Sequence, residues 1–449
     1  MQEDIKKIEV DIAEAAGKIA EDVSEIGKDA VKAVKSDVKV LGPGLITGGA
    51  DDDSSGVVTY SQVGAQFGYR MNWLCLISLP LMTAVQEMCA RIGIVTGKGL
   101  AGVIRNHYSK WVLYFAVTLL LIANGINIGA DLGAMAAVTK LVFGGNFYIL
   151  VIMFTIITLF LEIFVSYKVY SKYLKWLAFS LLSYFVTALI VHQDWTQIIK
   201  SIAVPSMPFT TPALMALVGF LGTTISPYLF FWQAAEEVEE EVKEKRIFAF
   251  GWGLPRFTWR HIKAMRKDNA FGMIFSNIVA LFIMLTAAAT LNRNGVQITD
   301  AASAAGALRP LAGDFAFSLF AIGIIGTGLL GVPVLAGSAA YAVSESFHWK
   351  TGLYRKFNQA HGFYGIITLA TLAGLCINFI GIDPMKALYY AAIVNGIAAP
   401  FLILIILFIG NNKKIMGNKS NGPWSNFFGV IAFLLMSLAV AALFIFWGK

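Results

Sequence analysis

Two stretches of this chain place polar, helix-breaking residues inside apolar runs long enough to cross a bilayer. The first reads GPGLITGGADDDSSGVVTYSQ, with Asp51, Asp52, Asp53, Ser54, Ser55 and Gly56 at its centre. The second reads GFLGTTISPYLFFWQ, interrupted by Thr223, Thr224, Ser226 and Pro227. Backbone at membrane depth leaves the helix only where protein or a water-filled cavity satisfies its freed groups. Carboxylates at that depth are costly and mark ion routes. Paired broken helices in matching halves of a chain point to a transporter binding site. Together the two breaks predict a transporter of cations.

The remaining composition agrees. Of 449 residues, 57% are hydrophobic and only 14% charged, against about 25% charged in soluble domains. The net charge of +7 is spread over many short loops, which argues against a nucleic-acid partner. Cys75, Cys89 and Cys376 sit in apolar runs without CxxC or His spacing, so neither disulfides nor structural zinc are expected. Residues 1–40 carry Ile5, Ile8, Ile12, Ile19, Val23 and Ile26 at spacings of mostly three and four among many charges. They lack the apolar core of a cleavable signal peptide. They read as an amphipathic cytoplasmic or interfacial helix, with a partner-binding arm as the alternative.

Spans of roughly 20 apolar residues are predicted eleven times: near 42–66, 72–96, 112–143, 147–167, 174–192, 212–236, 270–291, 312–345, 362–381, 385–410 and 425–447. The first and sixth are the broken ones. With the N-terminus inside, 21 Lys and Arg fall in inner loops and seven outside, as the positive-inside rule requires. This places the N-terminus in the cytoplasm and the C-terminus outside the plasma membrane. The transporter domain, 41–449, then splits into repeats 42–192 and 212–410, which enter the membrane from opposite sides, plus an eleventh helix. The fold class is all-α, an inverted repeat of five plus five helices. The stretch 238–268 reads as an inner loop.

Asp53 is the leading candidate cation ligand, because a carboxylate at a helix break meets an ion together with exposed carbonyls. Helix capping or pairing with a basic residue is the ordinary alternative. Asp51 and Asp52 point elsewhere, one lining an approach and the other capping backbone. Pro227 lacks an N–H and disfavours helix at Ser226, which frees carbonyls near Thr223 and Thr224 unless the kink serves packing alone. Backbone oxygens, hydroxyls and carboxylates are hard ligands that suit Mg²⁺, Ca²⁺ or Mn²⁺. Asn124, Asn127 and Asp131 share one face of the third span, for interhelical bonding or for substrate. Gln86, Glu87, Glu162, Asn277 and Asn395 read as isolated interhelical glue. Gly323, Gly326, Gly328 and Gly331 read as close-packing residues. The run Glu236, Glu237, Glu239, Glu240 and Glu241 reads as a solvated face paired with Lys243 and Lys245, or else as a cation vestibule. Gln233 and Glu236 complete the possible ion path. No nucleophile–base pair appears, so an enzyme is not expected.

These residues carry a resemblance. GPGLITGG before the acidic break, VGAQFGY after it and LVGFLGTTISPYLFFWQ are similar to the first and sixth helices of the NRAMP divalent metal transporters. The likeness runs through the first ten spans and implies a leucine-transporter-type fold, alternating access and a metal site between the two breaks. The family's Asp-Pro-Gly-Asn motif falls on Asp53, Ser54, Ser55 and Gly56, and its Met-Pro-His on Ser226, Pro227 and Tyr228. Its helix-3 Asp is kept as Asp131, while the Glu associated with proton transfer falls on Ala134. The resemblance thus implies Asp53 and the carbonyl of Thr223 as metal ligands, with Gly56, Ser226 and Tyr228 shaping the site. Loss of the thioether, the amide, the imidazole and the Glu resembles the NRAMP-related magnesium transporter branch.

The reading that follows is import of largely hydrated Mg²⁺, with Mn²⁺ beside it, by alternating access and without proton coupling. The metal is substrate, and no cofactor is expected. The rival within the family is a proton-coupled Mn²⁺/Fe²⁺ transporter; outside it, an amino-acid or organic-cation symporter, though three adjacent carboxylates speak against an anionic carboxylate substrate at the first break. Oligomeric state is not set by the sequence.

Overall fold

The computed structural model describes residues 42–165, 169, 181–191, 193–253, 255–295 and 301–446. The amphipathic segment 1–40 and the start of the fifth span lie outside the described residues.

The chain leaves the helix where the sequence places the breaks. The first span is two short helices, α1 (Pro43–Asp51) and α2 (Ser54–Phe67). The second and third are α3 (Trp73–Thr96) and α5 (Lys110–Phe143), joined through the short α4 (Leu100–His107). The fourth is α6 (Phe147–Phe164), and Leu182–Ile190 forms α7 of the fifth, followed by a surface helix α8 (Trp195–Ala203). The sixth span is again two helices, α9 (Thr211–Thr224) and α10 (Pro227–Lys243). Then come α11 (Trp259–Ala287), which runs into a π-helical turn over Ala288–Asn292, and the long α12 (Ala301–Ser346). The last spans are α13 (His361–Ile377), α14 (Pro384–Asn411) and, after a four-residue α15 (Lys413–Met416), α16 (Pro423–Phe446). Counting α9 with α10, eight helices among the described residues are long and apolar enough to cross a membrane. The expected inner loop at 238–268 is shorter than predicted, because α10 and α11 continue as helix beyond the apolar run.

Lipid-facing and core helices separate by burial. Helices α6 and α16 are strongly apolar and mostly exposed on their own surfaces, as a bilayer contact requires. In contrast, every residue of α1 is buried. Its backbone lies against α11 so closely that a Cβ at Gly48 would fall on the Gly272 carbonyl, and one at Gly272 on that of Gly44. Without a hydrophobic drive between helices in lipid, such close approach through small residues supplies the packing energy. The exposed N–H of Gly44 at the start of α1 donates to Asp268 Oδ2 of α11 at 2.7 Å, satisfying an orphan donor at the positive end of the helix. Helix α9 meets α14 in the same way, Gly222 against Ala392 and Gly396.

Polar glue lies only partly where the sequence suggested, at Glu87 and Asn277 but not at Gln86 or Asn395. Asn124 donates to the Leu335 carbonyl and to Ser338 of α12, and Asn277 to Ser78 of α3. Glu87 binds Arg91 at 3.0 Å and Arg266 at 2.8 Å, and Arg91 reaches Asn421 ahead of α16. The acidic run corrects its expectation. Only Glu240 pairs with Lys243, whereas Glu236, Glu237, Glu239 and Glu241 are buried. Glu239 accepts from Tyr341 Oη and from the backbone N–H of Leu353 and Tyr354, and Glu241 pairs with Arg246. The run was misread because its charge suggested a face in water; the loop after α12 folds back over it.

Replacing Gly272 by Val should lower the detergent melting temperature through about 1–3 kcal/mol of overpacking. An unchanged melting temperature would contradict the contact between α1 and α11.

Candidate functional site

At the first break, Asp53 does two things. It is the N-cap of α2, with backbone in the extended region. Its Oδ1 accepts from the Gly56 N–H at 2.9 Å and the Ser55 hydroxyl at 2.5 Å. Its Oδ2 faces away from the cap and accepts from Asn127 Nδ2 and from Tyr228 Oη, both at 3.1 Å. Capping and ligation, alternatives by sequence, are therefore compatible, since one oxygen serves the helix and the other faces the bundle. Every partner of Asp53 is neutral.

The second break lies against the first. Tyr228 Oη also donates to the Ala50 carbonyl in the last turn of α1, at 2.7 Å. A Cβ at Gly56 would sit 3.1 Å from the Asp51 carbonyl and 3.3 Å from Thr223 Oγ1. A side chain at position 56 would require these neighbours to give by a few tenths of an ångström. Ser226 donates its hydroxyl to the Thr223 carbonyl at 2.6 Å and the Gly222 carbonyl at 2.9 Å. The break thus exposes its carbonyls less than expected. Thr223 O keeps one lone pair for an ion or a water.

Asp131 completes a carboxylate pair about the break. It is fully buried beside Ser54, with both oxygens unsatisfied. The residue that makes room for both is Gly331 of α12, where a Cβ would fall 2.8 Å from Asp53 Cβ and 3.3 Å from Asp131 Oδ2. Sequence reading took Gly331 only as a packing residue. Its signal is a glycine in mid-membrane with no turn to make, but nothing in the sequence says what it faces.

Asp51 and Asp52 stand on another side of the break. Asp51 Oδ2 accepts from Ser276 of α11 at 2.6 Å. Asp52 lies beside Tyr60 and Ser276 with both oxygens unsatisfied. Further along, Gln233 donates to Glu237 at 2.9 Å, and Glu236 is buried one turn away. Gln86 is buried on α3 with its whole amide unsatisfied. It shares a helix face with Gly93, whose closest neighbours are Ala234 and Glu237 of α10. Asn395 of α14 and Glu162 Oε2 of α6 are likewise buried without a hydrogen bond.

Two buried carboxylates, unsatisfied amide oxygens and no Lys or Arg among their bonding partners make a hard-oxygen site that is negative whenever the carboxylates are ionised. In a low-dielectric interior such charge is expensive unless a counter-charge occupies it. A cation is the ligand that this chemistry accepts.

A family model described as Natural resistance-associated macrophage protein-like, Nramp, matches residues 44–446. The chain is similar to the divalent metal cation transporter MntH of Pectobacterium carotovorum, 26% identical over 418 residues that cover 90% of this chain and 93% of the relative. It is similar to MntH of Klebsiella pneumoniae, 25% identical over 419 residues with the same coverages. Among solved structures, the Eremococcus coleocola manganese transporter in complex with an aromatic bis-isothiourea substituted compound superimposes with a TM-score of 0.70 at 18% identity, over 89% of this chain and 85% of that one. The nucleobase-cation-symport-1 transporter Mhp1 in a closed conformation gives a TM-score of 0.56 at 13% identity, over 90% and 92%. The fold is thereby the leucine-transporter-type inverted repeat with broken first and sixth spans.

Gly331→Ala should weaken divalent-ion binding about tenfold or more, the equivalent of 1–3 kcal/mol of overpacking, in calorimetric titration with Mn²⁺. Unchanged affinity would remove Gly331 from the site.

Proposed function

The chain belongs to the Nramp family, and from that premise we propose that it transports Mg²⁺, with Mn²⁺ beside it, as a largely hydrated ion and without proton coupling. The observation that carries this reading is Asp53, a buried carboxylate at the helix break whose partners Ser55, Gly56, Asn127 and Tyr228 are all neutral. Its counter-charge is the transported ion. Asp53 is the principal ligand, and the carbonyl of Thr223 a second.

Hydration is supported by what surrounds that carboxylate. Asn127 Oδ1 is a buried acceptor without a donor, and among the described residues the Asp131 carboxyl group has no basic partner. Water molecules held by a cation supply donors pointing outward, which is the complement such acceptors require. Mg²⁺ keeps several waters when bound. At the second break Ser226 and Tyr228 stand where a soft or proton-accepting ligand would, and Ala134 is a buried methyl. Those three positions set this reading above the proton-coupled Mn²⁺/Fe²⁺ alternative.

The same logic extends the route along α10. Gln86 and Gln233 Oε1 are buried and unsatisfied, and Gln233 and Glu236 lie one turn apart. With Asp51 and Asp52 on the other flank of the break, they mark the path by which water and ion reach and leave Asp53. A cytoplasmic N-terminus follows from the loop charges. A membrane potential then contributes about 2.3 kcal/mol per charge per 100 mV, so a divalent ion is drawn inward with no proton to drive it.

Proteoliposomes loaded with a pH-sensitive dye test the proposal, with Mg²⁺ outside and Mn²⁺ and Ca²⁺ as competitors. Mg²⁺ uptake without internal acidification is expected; acidification that tracks uptake would favour the proton-coupled reading. Asp53→Ala should abolish uptake while the protein stays folded, and retained uptake would exclude Asp53 as ligand. Ser226→Met restores a soft thioether, so the uptake ratio of Mn²⁺ to Mg²⁺ should rise about tenfold, as a gain of about 1.4 kcal/mol implies. An unchanged ratio would show that this position does not face the ion.

A further inference from the structure

Away from Asp53, a cavity of about 520 Å³ opens at the end of the bundle where α3 and α12 finish. Its wall includes Lys98 and Arg105 around α4, Trp252 from the loop after α10, and Lys350 and Arg355 from the segment after α12. These four cations face a single carboxylate in the wall, Glu345, and that carboxylate is already engaged. Its two oxygens accept from the backbone N–H of Gly99 at 2.7 Å and Gly102 at 3.0 Å. Among the described residues, no carboxylate lies within ion-pairing distance of Lys98, Arg105, Lys350 or Arg355.

The guanidinium groups are held but not neutralised. Arg105 donates to the Glu345 carbonyl, and its Nε is buried with no acceptor. Arg355 donates Nε to the Thr351 carbonyl at 3.2 Å and stands 5.0 Å over the Tyr354 ring. A non-glycine residue in the left-handed region, His348 at φ 60°, turns the chain after α12. The Trp349 N–H donates back to the Ser344 carbonyl at 2.8 Å and closes that turn. Strain of this kind persists where surrounding structure holds it for a purpose. Here it carries Trp349 and Lys350 to the cavity wall.

We propose that this cavity binds a phosphate group. Four fixed positive charges exceed what one carboxylate would balance, and the arginine fork matches phosphate oxygens. The group comes from an anionic phospholipid headgroup or from free phosphate. The exposed aromatic side chains of Phe248, Trp252, Phe347 and Trp349 at this end are the residues that settle at a lipid–water boundary, and basic pockets between spans take anionic headgroups.

The test uses the full chain in nanodiscs of phosphatidylcholine or of equimolar phosphatidylcholine and phosphatidylglycerol, released into native mass spectrometry. Retained phosphatidylglycerol is expected in the wild type, with retention about fivefold weaker for each cation removed, the factor that about 1 kcal/mol per basic residue implies. Lys98→Gln with Lys350→Gln is the first variant. Arg105→Gln with Arg355→Gln is the second, and the Lys pair stands alone if the Arg pair fails to fold. Lys413→Gln with Lys414→Gln, outside the cavity, should retain lipid as the wild type does. A parallel titration in neutral detergent compares inorganic phosphate with chloride at matched ionic strength. A melting-temperature rise confined to phosphate and lost in the Lys pair assigns the source to free phosphate. Neither lipid retention nor a phosphate-specific rise, or responses unchanged in the Lys pair, would overturn the proposal.

Discussion

The structure depends on a buried carboxylate that the protein does not neutralise. Asp53 Oδ1 holds the first turn of α2 in place, so the aspartate is fixed by the fold and cannot turn away to find a partner. Its Oδ2 meets only an amide and a phenol. Neutral donors soften the cost of burying that charge without cancelling it. Asp131, beside Ser54 and across Gly331 from Asp53, brings a second carboxyl group to the same space. Two buried carboxylates without a basic partner are costly in a membrane core unless a proton or a cation offsets them, and the proposed function assigns that role to the transported ion.

Around this site the remaining architecture fixes the geometry of the two breaks. The glycine contact of α1 with α11 and the Asp268 cap on Gly44 immobilise the helix that ends at Asp51. The contact of α9 with α14 does the same for the helix that ends at Thr224. Tyr228 then ties the two together, its single hydroxyl hydrogen shared between the Ala50 carbonyl and Asp53 Oδ2. The Ser226 hydroxyl closes over the carbonyls that Pro227 frees, so the second break shields its own oxygens. The break therefore offers few bare carbonyls beside Asp53, which is the ground on which the proposed function rests its hydrated ion.

Most of the fold was legible in the sequence because a bilayer punishes polar backbone so severely. A Pro after Ser226 and a run of Asp, Ser and Gly inside apolar stretches leave few structures open, and both breaks fall within those runs. Asp53 was legible for the same reason. What escaped were relations between distant segments. Gly331 shares the space of Asp53 and Asp131 across more than 200 positions of chain, and a glycine looks alike whether it admits a helix or an ion. The acidic run after Gln233 read as a wet surface because five Glu in six residues suggest one. Burial there depends on the loop carrying Leu353 and Tyr354, whose folding back leaves no local signature. The polar stripe on the third span divided: Asn124 holds α12, while Asn127 and Asp131 face the break.

Crystals soaked in Mn²⁺, with anomalous diffraction collected at the manganese edge, test the central claim most directly. The account predicts one anomalous peak in the space bounded by Asp53 Oδ2, Asp131 and the Thr223 carbonyl. A peak elsewhere, with that space empty at saturating Mn²⁺, would contradict it.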